Sequence, residues 1–256
     1  AKYMEQAWAG NLFLACTQKP RHEDFPIPVV TEHIGSYYFF DPYATYFPMR
    51  RRQESLNGDC IGPGVDEKWL DRICAAHGVK ARNKDGHGWS NAAMTHNDEI
   101  FFHCIAALAA PAYAQQNHDA LRVDWPRVPV PADAKALRAS AKVGRLVADL
   151  LMPGKPVDGV TSGKIRAELR SLAVPFKAGG GQIDPDVDLI VDGGWASVDR
   201  QGRVSMREGE VTPNEGDPAG AIDVWINDRV GWRNIPGDVW AFTLGGYPVV
   251  NKWLSY

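Results

Sequence analysis

The stretch from Asn97 to Pro131 leaves this chain the least freedom: an apolar helix, a second helix opened by a proline and the run Trp125-Pro126-Arg127-Val128-Pro129-Val130-Pro131 follow one another without a gap. Thr95 or Asn97 can cap the first helix, and Asp98 and Glu99 fall in its first turn, where the helix dipole favours anions. Ile100, Phe101, Phe102, Cys104, Ile105 and Leu108 then cover most of its circumference, so it must be packed on nearly every side. Pro111 ends or kinks it and opens the next helix, Ala112 to Leu121. Each of the three later prolines removes an amide donor and pushes its predecessor toward extended geometry, which makes a stiff strap behind the helices.

With 256 residues, 45% hydrophobic and 23% charged, the chain can bury a full core as one large domain or two small ones. Composition shifts after Pro153 and Gly154, separating residues 1–155, with strands, polar loops and central helices, from a β-rich part, residues 156–256, that ends in a helix and packs on the first. The expected class is α+β: small mixed sheets around a central group of helices. Asn11 to Thr17 and Val29 to Tyr38 are strand-like, and Asp66 to His77 reads as a short helix with Trp69, Leu70, Ile73 and Cys74 on its apolar face, ended by Gly78. Ser162 can cap a helix bearing Ile165, Leu169 and Leu172, and Gly179-Gly180-Gly181 reads as a linker. Val187 to Met206 suggests a hairpin around Asp199-Arg200-Gln201-Gly202, and Asp223 to Asn227 a further strand. Trp125, Trp240 and Trp253 stand in apolar surroundings and read as structural anchors. Position 1 is not Met, and neither a signal-peptide pattern nor a long apolar run is present, so the expectation is a cytoplasmic chain with no membrane partner.

Net charge is −3, which excludes a uniformly basic nucleic-acid binder, but the charge is unevenly spread. Residues 122–177 hold 11 Lys and Arg against 5 acids, whereas residues 178–226 hold 3 against 10. Within the basic zone Ala132 to Leu151 has helical period, and it places Lys135, Arg138, Lys142 and Arg145 within an arc of about 80° with Val143, Val147, Leu150 and Leu151 on the other side. Such a row either keeps a helix wet or grips phosphates.

The helix-and-strap stretch and the C-terminal run Val239-Trp240-Ala241-Phe242-Thr243-Leu244-Gly245-Gly246-Tyr247-Pro248-Val249-Val250-Asn251-Lys252-Trp253-Leu254 together resemble the C-terminal specificity region of type ISP and related single-chain restriction–modification adenine methyltransferases, and stand in that family's order. A third match lies in Phe25 to Arg50, where Val29-Val30-Thr31-Glu32-His33-Ile34 precedes the aromatic runs Tyr37-Tyr38-Phe39-Phe40 and Tyr46-Phe47-Pro48-Met49. The resemblance touches half the chain and concerns scaffold rather than catalysis. It implies a domain that recognises a short duplex DNA sequence for an N6-adenine methyltransferase, with the methyltransferase domain upstream in the same polypeptide and S-adenosylmethionine bound by that parent enzyme. No cofactor is expected in this chain, because it has no Asn-Pro-Pro-Tyr segment, no Gly-rich loop suited to S-adenosylmethionine and no Gly-x-x-x-x-Gly-Lys-Ser/Thr loop. Methyl transfer, and any translocation or cleavage, would then belong to segments outside it, and no catalytic residue is assigned.

A DNA reader needs phosphate grips that set register and side chains on loops that reach base edges. The loop donors are Arg50, Arg51 and Arg52, opening a Gly-rich loop with Gly58, Gly62 and Gly64, and Arg82, Asn83, Lys84, His87 and Asn91 in the polar segment from Val79. The phosphate candidates are Lys135, Arg138, Lys142 and Arg145, with Lys164, Arg166 and Arg170 as a second patch. The acidic zone supports an alternative, a protein-docking or DNA-mimicking module of a multidomain enzyme without direct DNA readout. Cys60, Cys74, His77 and His87 lack the tight Cys-x-x-Cys spacing of a zinc site, so no metal is assigned, and four cysteines at such spacing make no disulfide framework. His96 and His103 beside Asp98 and Glu99 have the residue types for acid–base chemistry, but no nucleophile stands in a recognisable turn, and hydrolysis is the weakest reading.

Overall fold

The computed structural model describes residues 4–18, 28–37, 40, 43–53, 60–84, 86, 88–152, 154–192, 194–202, 204–206, 209–214, 220–244 and 247–255. His87, Gly58, Tyr38, Phe39, Gly245, Gly246 and the segment 25–27 lie outside the described residues. The chain divides into two compact units, Ala1–Lys155 and Pro156–Tyr256, and its mixture of small antiparallel sheets with helices is an α+β fold. Among the described residues no helix is long and apolar enough to cross a membrane.

The first unit opens with strands β1 (Phe13–Cys16), β2 (Val29–Thr31) and β3 (Thr45–Pro48), which form an antiparallel sheet in the order β2-β1-β3. Every β1 side chain is buried, since the strand is covered on both faces. Strands β4 (Arg50–Gln53) and β5 (Cys60–Pro63) make a separate hairpin, so the three arginines expected at a loop stand in a strand instead. Helix α1 (Glu67–Ala76) is capped by the Asp66 carboxylate and stops at Gly78, whose φ of 67° suits glycine. It buries Leu70, Ile73 and Cys74; Trp69, expected on the apolar face, is exposed, with the Arg72 guanidinium 5.6 Å from its ring.

Helix α2 (Asn91–Leu108) begins earlier than the cap expected at Thr95 or Asn97. Ser90 caps it by accepting from the Ala93 amide at 3.0 Å, which leaves Thr95 and Asn97 inside the helix and Asp98 and Glu99 in its second turn or beyond. It is buried nearly all round, as its apolar circumference requires. The expected second helix is two, α3 (Pro111–Gln116) and α4 (His118–Leu121), interrupted at Asn117, whose side chain turns back to the Tyr113 carbonyl at 2.9 Å. Helix α5 (Ala134–Leu151) follows the strap and packs along α2. Its buried strip is Leu137, Ala141, Gly144 and Ala148. A Cβ on Gly144 would lie 1.7 Å from the Phe102 carbonyl oxygen, so two backbones meet there. That close approach turns small residues inward and corrects the expected apolar side: Val143 and Leu150 are exposed, with Leu146 beside them, and only Val147 and Leu151 pack on the core.

In the second unit β6 (Val174–Lys177), β9 (Glu210–Pro213), β10 (Ile222–Trp225) and β11 (Val230–Ile235) form an antiparallel sheet in the order β6-β11-β10-β9. Between them lie helix α6 (Pro185–Asp188) and the hairpin β7 (Ala196–Val198) with β8 (Val204–Met206). The hairpin turns through Asp199–Gly202 as expected, but it starts at Ala196, because Val187 and Asp188 are in α6. The helix expected after Ser162 is only a 3-10 turn at Ala167–Leu169, preceded by left-handed glycines at Gly159 and Gly163. Helix α7 (Gly237–Trp240), the short pair β12 (Thr243–Leu244) and β13 (Tyr247–Pro248), and helix α8 (Val249–Leu254) close the chain. The core gathers Trp195, Val224, Ile226, Val230, Ile235 and Leu254, and Trp240 meets Trp195 edge-on at 5.8 Å. Trp253 is not an anchor of that kind: it is exposed, tilted against Trp232.

Candidate nucleic-acid interface

Lys135, Arg138, Lys142 and Arg145 are all exposed along one edge of α5, beside the strip that packs on α2. With Thr95, Asp98, Glu99 and Phe102 of α2 they line an open groove of about 610 Å3. The Arg145 guanidinium lies 3.7 Å from the centre of the Phe102 ring, where the ring face attracts the cation and holds the side chain along the groove. Arg138 donates to the Glu99 carboxylate at 3.2 Å. Among the described residues no carboxylate stands in ion-pair distance of Lys135, Lys142 or Arg145.

The acids on the α2 side are already partnered. Asp98 receives a two-pronged pair from Arg50, Nε to Oδ1 at 3.1 Å and Nη2 to Oδ2 at 2.6 Å, and this hydrogen bonding pushes the guanidinium pKa above its usual range against the effect of burial. Glu99 receives Arg138 on one oxygen, while the other lies 2.9 Å from His96 Nδ1 yet has no hydrogen-bond partner. His96 is tied on its other side to His77. His77 Nε2 donates to the Pro131 carbonyl at 3.0 Å, and its Nδ1 lies 3.1 Å from His96 Nε2. Burial holds the His96 pKa below its ordinary value, the nearby Glu99 charge pulling the other way.

The loop donors divide into bound and free. Arg51 is occupied by the Pro63 and Val65 carbonyls, at 3.0 and 3.4 Å. Arg82 stacks 3.7 Å above the Trp89 ring and pairs with Asp71 at 2.9 Å and Glu67 at 3.6 Å. Glu67 also accepts from Gln53 at 3.1 Å, so the β4–β5 hairpin and the 82–89 turn meet at the start of α1. Arg52, Asn83, Lys84 and Asn91 are exposed; the Arg52 guanidinium lies over Trp8 at 5.6 Å, and Asn91 stands in the first turn of α2. In the second unit Lys164, Arg166 and Arg170 are exposed.

Sequence reasoning passed over the fastening of the strap. Tyr113 Oη donates to the Arg127 carbonyl at 3.1 Å, His103 Nε2 to that of Pro129 at 2.9 Å and His77 Nε2 to that of Pro131. An extended chain turns alternate groups to one side, and the inward carbonyls are those of alternate residues. The available signal was the histidines at the end of α1 and on α2 facing a segment poor in amide donors. The other ring nitrogens are also engaged, His103 Nδ1 with Ser140 at 2.8 Å and His77 Nδ1 with His96 at 3.1 Å. Asn97, wholly buried, donates to the Met49 carbonyl at 2.8 Å and accepts from the Val65 amide at 3.1 Å, tying strands to helix. Beneath the strap an apolar cavity of about 530 Å3 is lined by residues including Leu14, Phe47, Ile100, Phe101 and Trp125, with Cys16 and Cys104 in its wall. Burial pushes those thiols up to about 12 and about 11.

Two solved structures align with the chain. The ATP-dependent Type ISP restriction-modification enzyme LlaBIII, bound to DNA, does so with a TM-score of 0.51 and 12% identity, over 96% of this chain and 13% of that one. A nuclease-deletion mutant of the Type ISP restriction-modification enzyme LlaGI, in complex with a DNA substrate mimic, gives a TM-score of 0.48 and 16% identity, over 96% of this chain and 16% of that one. At such identity the likeness to LlaBIII concerns the fold alone, and this chain spans less than a fifth of either enzyme. Comparison with curated proteins gives no match. The family described as the Type ISP C-terminal specificity domain matches residues 1–256, every position of the chain, and the chain belongs to that family.

Proposed function

We propose that this chain recognises a short duplex DNA sequence on behalf of a restriction–modification enzyme that methylates adenine at N6, the S-adenosylmethionine and catalytic residues being held by an upstream methyltransferase domain of the same polypeptide. Membership of the specificity-domain family supports the reading, as does the likeness in fold to the Type ISP enzyme LlaBIII, solved bound to DNA. The observation that carries it is the row Lys135, Arg138, Lys142 and Arg145, exposed along a groove whose opposite wall has its acids paired by Arg50 and Arg138. Such a row grips phosphates without regard to sequence, and the exposed donors Arg52, Asn83, Lys84 and Asn91 are left to read base edges.

Replacing Lys135, Arg138, Lys142 and Arg145 together by Gln tests the assignment. Affinity for all duplex sequences falls alike, and the dependence of log K on log salt becomes shallower, by about 0.9 for each phosphate no longer gripped. A salt slope identical to that of the unaltered protein would reduce the row to a solvated helix face.

A further inference from the structure

In the second unit Val187 of α6 and, immediately after that helix, Leu189, Ile190 and Val191 are turned to solvent, at 48, 47, 57 and 39% exposure. Four apolar side chains in so short a stretch are unusual on a surface, and their backbone is firmly held. The side chain of Asn227, itself 1% exposed, donates to the carbonyls of Asp188 at 2.7 Å and Ile190 at 2.8 Å, and accepts from the amides of Arg229 and Val230. The buried Asp188 carboxylate takes Lys177 at 2.6 Å and the Asp184 amide at 2.8 Å. Arg229 donates to the Val187 carbonyl, and the Asp192 amide to that of Ile226. A buried polar network thus fixes a loop whose outward product is an apolar tip.

We propose that this tip is a docking knob, and that its occupant is a protein surface: an apolar recess rimmed by Lys and Arg on the remainder of the polypeptide that contains this chain. Charge selects that occupant. Asp184, Asp186 and Asp192 are exposed around the tip, and among the described residues none of them stands in an ion pair, whereas Lys177 and Arg229 are taken by Asp188 and Asp228. Three carboxylates without a cation repel a phosphate backbone and attract a basic rim, so the tip is not a wedge for DNA. The inference rests on the reading of the chain as one part of a larger restriction–modification polypeptide, and it gives the acidic zone a role distinct from that of the basic row.

The test is thiol labelling of the intact polypeptide without DNA, in variants Ile190→Cys and, as a second probe of the tip, Leu189→Cys, each compared with Arg200→Cys on the exposed β7–β8 turn. Peptide mass spectrometry separates these sites from the native, exposed Cys60. The expected result is labelling of both tip cysteines about tenfold or more slower than at position 200, because a covered site reacts only when it opens. Adding Asp186→Lys and Asp192→Lys restores the tip rate to within about twofold of the control, as repulsion across a basic rim requires. Equal rates at tip and turn would overturn the proposal. So would protection that appears only when DNA is added, protection that fades on dilution as for a second copy, or protection indifferent to charge reversal. Loss of sequence-specific DNA binding elsewhere would leave the labelling pattern unchanged, which separates failure of this inference from failure of the reading of DNA.

Discussion

At the scale of single residues, the unusual feature is a buried carboxylate oxygen of Glu99 that has no hydrogen-bond partner beside a buried histidine. His96 sits between Glu99 and His77, and burial holds its pKa below the ordinary 6.5. As pH falls below about 6.5 the unfolded chain takes up a proton that the folded chain declines, so this contribution to stability is present above that pH and lost below it. Denaturant titrations between about pH 5 and about pH 8 should show stability rising with pH across that window, and His96→Gln should flatten the rise. A slope unchanged by the substitution would place the titration elsewhere. Cysteine chemistry is equally local. Cys16 and Cys104, raised to about 12 and about 11 by burial, should resist alkylation at neutral pH while exposed Cys60 reacts, as peptide mapping after brief labelling would report.

At the scale of elements, the pairing of α2 with α5 governs the interface, because the groove's two walls are those helices. Gly144→Ala would drive a methyl group into the Phe102 carbonyl and push the helices apart, at a cost of about 1–3 kcal/mol in denaturant unfolding. Since the basic row stands on α5, the same variant should also weaken DNA binding. Ile105 is fully buried, and Ile105→Ala should cost roughly 2–5 kcal/mol without altering any surface donor. The strap is held by carbonyls rather than amides, and Tyr113→Phe, which removes one donor to it, should cost about 0.5–1.5 kcal/mol. A melt of Tyr113→Phe that matches the unaltered chain would show the strap to be held by its histidines alone.

At the scale of the molecule, recognition and chemistry are expected to be separable. On the proposed reading, exchanging Arg52, Asn83, Lys84 and Asn91 in the intact polypeptide should change or relax which adenines are methylated, each bidentate base pairing removed altering discrimination by about 1–3 kcal/mol, while turnover on accepted sites persists. Arg50 and Arg82, tied to Asp98 and to Asp71 with Glu67, should instead lower stability when replaced. Sequencing of methylated adenines from cells carrying each variant reads both outcomes. The same adenines methylated after all four exchanges would move base readout outside this chain.

The sequence by itself determined what local physics can decide. An all-round apolar run had to become the buried helix α2, prolines had to make an extended strap, Gly78 had to end α1 and a row of cations at helical spacing had to share one edge of α5. It also carried the resemblance to the family on scaffold motifs alone. Only the tertiary structure decided which groups remain free to act. Three adjacent arginines are alike in a sequence, yet Arg50 pairs with Asp98, 48 positions away, Arg51 folds onto the Pro63 carbonyl and Arg52 faces outward. The inward face of α5 escaped the apolar pattern for the same kind of reason: how closely two helices approach depends on a glycine meeting a distant carbonyl, not on the hydrophobicity of either helix. Local preference is written in neighbours along the chain, whereas the availability of a donor is settled by partners that folding brings from far away.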